Sequence, residues 1–171
     1  LMVSTQPIHG LSPYFSMEYL NSTTDTNIAA SDINGNLTAF ASKGKQAPLA
    51  PHFMANFGLT YTYKGIFANG ALHYTGPQST TLAGDQRMPG YFTNTLSLGY
   101  HFKPLWHAKS PTIRLNCTNL TGAILRTGVV GVGTNASQVR LMNGNLSNTG
   151  SGAQFILEPR FTVTGTVSTA F

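Results

Sequence analysis

Six segments of this chain place an apolar side chain at every second position, and no window sustains the i, i+3, i+4 spacing of an amphipathic helix. The clearest runs from His52 to Tyr63. Phe53, Ala55, Phe57, Leu59, Tyr61 and Tyr63 take one face, and His52, Met54, Asn56, Gly58, Thr60 and Thr62 take the other. Successive side chains of a strand point to opposite faces, so this segment has one oily and one largely polar side. The same alternation recurs at Tyr14 to Asn21, Ile66 to Thr75, Gly90 to Phe102 and Pro111 to Asn119. Asn94 is the one mismatch in its segment. The last twelve residues, Arg160 to Phe171, repeat it again, at a length of about 40 Å, enough to cross a bilayer core at a tilt near 45°.

The connections between these six strands sort by length. Lys64-Gly65 and residues 103–110 are short, whereas 22–50, 76–89 and 120–159 are long and rich in Gly, Asn, Ser and Thr. Short turns at one end and long loops at the other are the pattern of an outer-membrane barrel. Residues 1–13 give no clear element, and a hairpin extension is expected near Gln154 to Leu157. Gly128 to Gly133 lacks the Lys-Ser/Thr of a phosphate loop and is expected to be a flexible loop.

Composition points the same way. Only 9% of residues are charged while 41% are hydrophobic, a poor match to a soluble enzyme surface. Within the strands the charges Glu18, Arg114 and Arg160 keep to the polar register. Aromatics on the apolar face gather at the strand ends: Phe53, Tyr74, Phe92 and Phe161 toward the long loops, and Tyr61, Tyr63, Tyr100, Phe102 and Phe171 toward the short turns. Two such girdles mark membrane interfaces. The expected fold is therefore all-β, an antiparallel up-and-down transmembrane barrel of about six strands. A soluble β-sandwich that binds sugar and a small structural or adhesion barrel are the alternatives. Six strands fall short of the eight at which single-chain barrels begin.

Several short motifs, taken in order, resemble the late strands of TonB-dependent outer-membrane receptors. They are Pro51-His52, Phe57 to Tyr63, Leu72-His73-Tyr74-Thr75-Gly76, Pro89-Gly90-Tyr91, Leu96 to Phe102 and Ile113 to Leu120, ending in Glu158-Pro159-Arg160-Phe161 and Phe171. The chain departs from the family in following Asn119-Leu120 with Thr121-Gly122. The resemblance implies the C-terminal part of a 22-stranded barrel, with residues 1–171 as a partial barrel and the plug domain absent. It implies as partners the remaining strands and plug, outer-membrane lipid, an extracellular small-molecule ligand, and the energy-coupling TonB protein through the missing N-terminal part. The implied place is the bacterial outer membrane, and the implied function is uptake of a siderophore-like ferric chelate, cobalamin or an oligosaccharide.

The residues themselves offer no catalytic constellation, cofactor motif or metal-ligand spacing. The five histidines and five acids are dispersed, and the lone Cys117 excludes an internal disulfide. Cys117 shares the register of Ile113 and Leu115 and is expected to face lipid. The ten basic residues form no run, which argues against nucleic acid as a partner. Leu1 to Thr5 lacks the basic and apolar regions of a signal peptide, so the sequence reads as part of something longer or as already processed. Asp32-Ile33-Asn34-Gly35-Asn36 is expected to be a turn, since no glutamate closes it as a calcium loop. Ligand contacts are expected on the loops 76–89 and 120–159 and the strand ends beneath them. The residues concerned are His73, Thr75, Arg87, Tyr91, Arg126 and Arg140.

Overall fold

The computed structural model describes residues 1–104 and 109–169. Its first strands are β1 (Met2–Ser4), β2 (Leu11–Tyr19), β3 (Ile28–Ser31) and β4 (Leu37–Phe40). Next come β5 (Phe53–Tyr63), β6 (Ile66–Thr75), β7 (Gln78–Ser79), β8 (Arg87–Met88) and β9 (Tyr91–His101). β10 (Thr112–Thr118), β11 (Arg126–Val129), β12 (Phe155–Leu157) and β13 (Thr162–Ser168) complete the set. Seven of them form one antiparallel sheet in the order β1-β2-β5-β6-β9-β10-β13, with β1 and β13 as open edges. The other six pair as three small hairpins, one within each long loop.

Register explains why the alternation repeats from strand to strand. Leu11, Tyr61, Ala68, Leu98, Leu115 and Gly165 lie side by side across six strands on one face. The next row, Ser12, Thr60, Asn69, Ser97, Asn116 and Thr164, lies on the other. A slip of one residue in any pair would mix the two, so the pattern itself pins the register. The polar row is knitted laterally: Asn69 Nδ2 donates to Thr60 Oγ1 at 3.2 Å, and Ser97 Oγ to Asn116 Oδ1 at 2.8 Å. The apolar face stays uncovered, with Phe57 46% and Val167 78% exposed.

The tight turn at Lys64-Gly65 has both central residues at positive φ, +46° and +89°, as a two-residue hairpin requires. His9 (φ +52°) and Gly10 (φ +82°) make the same kind of turn between Ile8 and Leu11, which exchange hydrogen bonds of 2.9 and 3.0 Å. Gly10 is needed twice over, because a Cβ there would overlap the Thr62 carbonyl oxygen.

Here the structure corrects the sequence reading. Residues 1–13 are not featureless: they hold β1 and this turn, and the sheet has seven strands rather than six. The expected first strand also begins three residues earlier, at Leu11. Gly128 and Val129 belong to β11, paired with β12, so the Gly-rich stretch is partly strand. The hairpin expected near Gln154 to Leu157 is present as β12. The expected interfacial Phe171 and the middle of the 103–110 turn lie outside the described residues. Asn94, the mismatch, serves β10: its Oδ1 accepts from the Leu120 backbone N–H at 2.6 Å, where β10 leaves the sheet.

Among the described residues, the buried apolar ones lie not in the sheet but in the long loops. Phe40, Ala83 and Leu141, one from each loop, form the core cluster, with Ile28, Ala30 and Val139 packed against it. Met88, at 0% exposure, is also buried here. The loops thus fold as one capping body at their end of the sheet.

Candidate functional site

Hydrogen bonds tie the three loops to one another. Lys45 Nζ donates to the Ala83 carbonyl at 2.8 Å, and Arg87 Nη2 to Gln46 Oε1 at 2.7 Å. The backbone N–H groups of Leu82 and Ala83 donate to the carbonyls of Gly133 (2.9 Å) and Thr134 (2.8 Å). Gln86 Oε1 accepts from Ala153 N–H at 2.8 Å. Asp85 Oδ2 accepts from the backbone N–H groups of Ala136 and Ser137, both at 2.8 Å.

The main hub is Asp32, 1% exposed. Its Oδ1 accepts from the backbone N–H groups of Asn34 and Asn36, both at 2.9 Å. Its Oδ2 accepts from the side-chain amides of Asn145 (2.7 Å), Asn143 (3.0 Å) and Asn36 (3.1 Å). Asn145 contributes most to holding this carboxyl below the usual carboxylate range; burial opposes it, and Asn36 and Asn34 add to it. In Asp85 burial pushes the carboxyl up, but the hydrogen bonds from Ser137, Thr81 and Ala136 outweigh it and leave the carboxyl lowered.

The turn expected at Asp32 is present, and it has a twin. Asp32-Ile33-Asn34-Gly35-Asn36-Leu37 and Leu141-Met142-Asn143-Gly144-Asn145-Leu146 share Asn-Gly-Asn-Leu. In each, the glycine N–H bonds back three residues at 2.9 Å, and glycine φ is +84° or +87°. The two turns meet through Asp32, and Ile33 N–H donates to the Leu146 carbonyl at 3.0 Å. Sequence reasoning passed over this pairing, although the repeated tetrapeptide was its signal.

Two open clefts lie beside this network. Pro89, Gly90, Tyr91, Ile124, Leu125 and Arg126 line one of about 340 Å³. The Arg126 guanidinium sits 4.8 Å from the Phe155 ring centre, and Tyr91 donates its O–H to the Thr127 carbonyl at 3.3 Å. Lys45, Gln46, Ser79, Gly84 and Arg87 line a second cleft of about 180 Å³. Lys45 and Arg87 are held by neutral acceptors, while Asp32 and Asp85 accept from neutral donors. Neither acid is hydrogen-bonded to Lys45 or Arg87, whose partners are the Ala83 carbonyl and Gln46 Oε1.

The other expected contacts sit differently. His73 Nδ1 donates to Asn56 Oδ1, and its Nε2 lies in hydrogen-bond contact with Thr75 Oγ1 at 2.9 Å. Thr75 is buried, so this pair is built into the inner wall. Arg140 is exposed, away from both clefts.

A family model described as TonB dependent receptor-like, beta-barrel matches residues 10–120, over half of the chain. The chain belongs to this family. Its members are outer-membrane transporters rather than enzymes, which agrees with the antiparallel all-β sheet of this receptor barrel. No curated protein matches the chain. In the receptor barrel, the outward aromatics form two bands. Phe53, Tyr74 and Phe92 follow one another at ring-centre distances of 6.0 and 4.7 Å at the loop end, with Phe161 beyond. Tyr100 and Phe102 meet at 4.7 Å at the turn end, near Tyr63 and one row beyond Tyr61. Phe92 and Tyr100 are eight residues apart, or about 27 Å along the strand and about 20 Å along the normal at a 40° tilt.

Proposed function

We propose that this chain forms part of the wall and mouth of an outer-membrane uptake receptor that captures an anionic, siderophore-like ferric chelate. The observation that carries the reading is the cleft chemistry: Arg126 beside Phe155 and Tyr91, and Lys45 with Arg87. Arginines suit the anionic oxygens of such a chelate through charge-assisted contacts, and the aromatics suit flat groups of its ligand arms. A glycan would need free neutral hydrogen-bonding groups, but Asn36, Asn135, Asn143, Asn145, Gln46 and Gln86 are engaged in holding the loops together. That engagement turns the balance toward the anion.

The two aromatic bands mark the lipid interfaces in this reading, and the polar rows line the lumen. An open sheet in lipid leaves edge N–H and C=O groups unpaired at several kcal/mol each. The edges β1 and β13 therefore pair with further strands of a larger barrel, which the family's plug and energy-coupling partner would serve.

The test uses the intact receptor in cells, with Arg87→Gln and Arg126→Gln combined, and with residues 120–159 shortened. Binding of anionic ferric chelates should fall about tenfold or more per lost arginine contact, with a neutral chelate little affected. Loop shortening should abolish binding and uptake while assembled receptor persists. An equal loss for neutral and anionic ligands, or wild-type uptake after shortening, would remove these loops from recognition.

Facing can be checked separately. Cys117 lies in the outward row between Leu96 and Val163. In intact membranes it should resist a membrane-impermeant thiol reagent, and rapid labelling would reverse the assignment.

A further inference from the structure

Near the short-turn end, the inner face carries Arg114, opposite Gly99 on β9 and Thr166 on β13. Gly99 opens the space around it, since a Cβ there would overlap the Phe67 ring and lie 2.6 Å from the Ile113 carbonyl oxygen. With that space free, the Phe67 ring packs between two groups. The His101 ring centre is 4.6 Å from it, and the Arg114 guanidinium is 5.2 Å from it. His101 is fixed in turn by Thr112 Oγ1, 2.8 Å from its Nδ1.

Arg114 is thus positioned, among the described residues, by a ring and not by an acid. Among the described residues it makes no hydrogen bond, so its N–H donors are free. The acid on this face of the strands, Glu18, lies in the row of Met54, Thr75 and Tyr91 at the other end of the sheet, about 27 Å along the strands. Thr60, Asn69 and Ser97 complete a cleft of about 210 Å³ beside Phe67 and Arg114. Ser97 spends its hydroxyl proton on Asn116 Oδ1, which leaves the Asn116 NH₂ as a second donor group two residues from Arg114.

We propose that this cleft binds a carboxylate, gripped by the Arg114 fork above the Phe67 ring. A carboxylate matches the guanidinium's parallel N–H pair, and the low-polarity ring beneath it strengthens the contact. The carboxylate belongs either to a polypeptide segment seated inside the barrel or to a free small anion in the lumen. The site requires only that this face be the barrel interior, and it stands apart from the mouth clefts and whatever they select.

The experiment measures modification of arginines by phenylglyoxal in the intact receptor in native membranes, residue by residue by mass spectrometry. Exposed Arg140 is the internal reference, and 4-fluorobenzoate is the added carboxylate. A free-anion site gives Arg114 reacting in washed membranes and slowed about tenfold or more by 4-fluorobenzoate. An internal carboxylate gives Arg114 already protected without addition, with Arg114→Gln lowering the heat-unfolding midpoint and Arg114→Lys restoring part of it. Two results overturn the proposal. One is Arg114 reacting like Arg140 with and without 4-fluorobenzoate. The other is protection without addition but an unchanged midpoint in Arg114→Gln, which is plain steric shielding.

Discussion

Leu96→Arg should nearly abolish assembly of the receptor, while Thr95→Arg, one residue earlier, should assemble like wild type. Leu96 lies on the outward face between Gly70 and Cys117, midway between the aromatics Phe92 and Tyr100. An arginine at bilayer mid-depth costs about 2–4 kcal/mol, because its charge must stay solvated by thinning or distorting the lipid. Thr95 points inward beside Ala71 and Thr118, with Gly58 next in the row, so a long cation there has room and water. A surface change of that kind is usually worth no more than about 0.5 kcal/mol. The folded fraction is read as heat-modifiable receptor recovered from outer membranes. Equal recovery of the two variants would mean that the two faces are not lipid and lumen. This contrast isolates facing from everything else, since the two substitutions add the same charge to neighbouring residues.

How much of this was legible follows from what sets each feature. Strands β5, β6, β9, β10 and β13 came through because period-two alternation reports a sheet with unlike faces directly. β1 did not, since three residues are too few for a period. Its turn, His9-Gly10, is also not one of the Asn-Gly or Asp-Gly pairs that announce a hairpin. Pro13 hid the start of β2 by reading as a break, yet it lies in the strand opposite Leu59. The loop hairpins and the core of Phe40, Ala83 and Leu141 join residues far apart in sequence, and no local pattern encodes such contacts. For the same reason the clefts gather Lys45 with Arg87, a partnership the sequence did not propose, while His73 and Thr75 turn out to be spent on each other. The role of Asn94 was visible only as a misfit.

Asp32→Ala should loosen the whole cap and weaken ligand capture, although Asp32 lines neither cleft. The substitution strands five donors that now converge on one carboxylate: two backbone N–H groups and the amides of Asn36, Asn143 and Asn145. It also removes the side-chain link between the two Asn-Gly-Asn-Leu turns, leaving the backbone bond from Ile33 N–H to the Leu146 carbonyl to hold the first loop to the third there. Stranded donors favour opening, so proteolysis within residues 120–159 should accelerate about tenfold or more, while hydrogen exchange in β5 and β6 stays unchanged. Asp32→Asn should give most of the same effect, because an amide puts a donor where an acceptor is needed. The pH dependence follows from the sign of the shift. The Asp32 carboxyl is held below its usual range, so its contribution is fully present above the unfolded value, about 3.9, and is lost as pH falls through the lower folded value. Asp85 is lowered too and acts in the same direction. Cap exchange rates, corrected for intrinsic chemistry, should therefore be flat from about pH 8 to about pH 5 and rise only in stronger acid. A cap that loosens near neutrality, or an Asp32→Ala receptor with wild-type protease resistance, would show that the loops are held by their apolar cluster and not by this carboxylate.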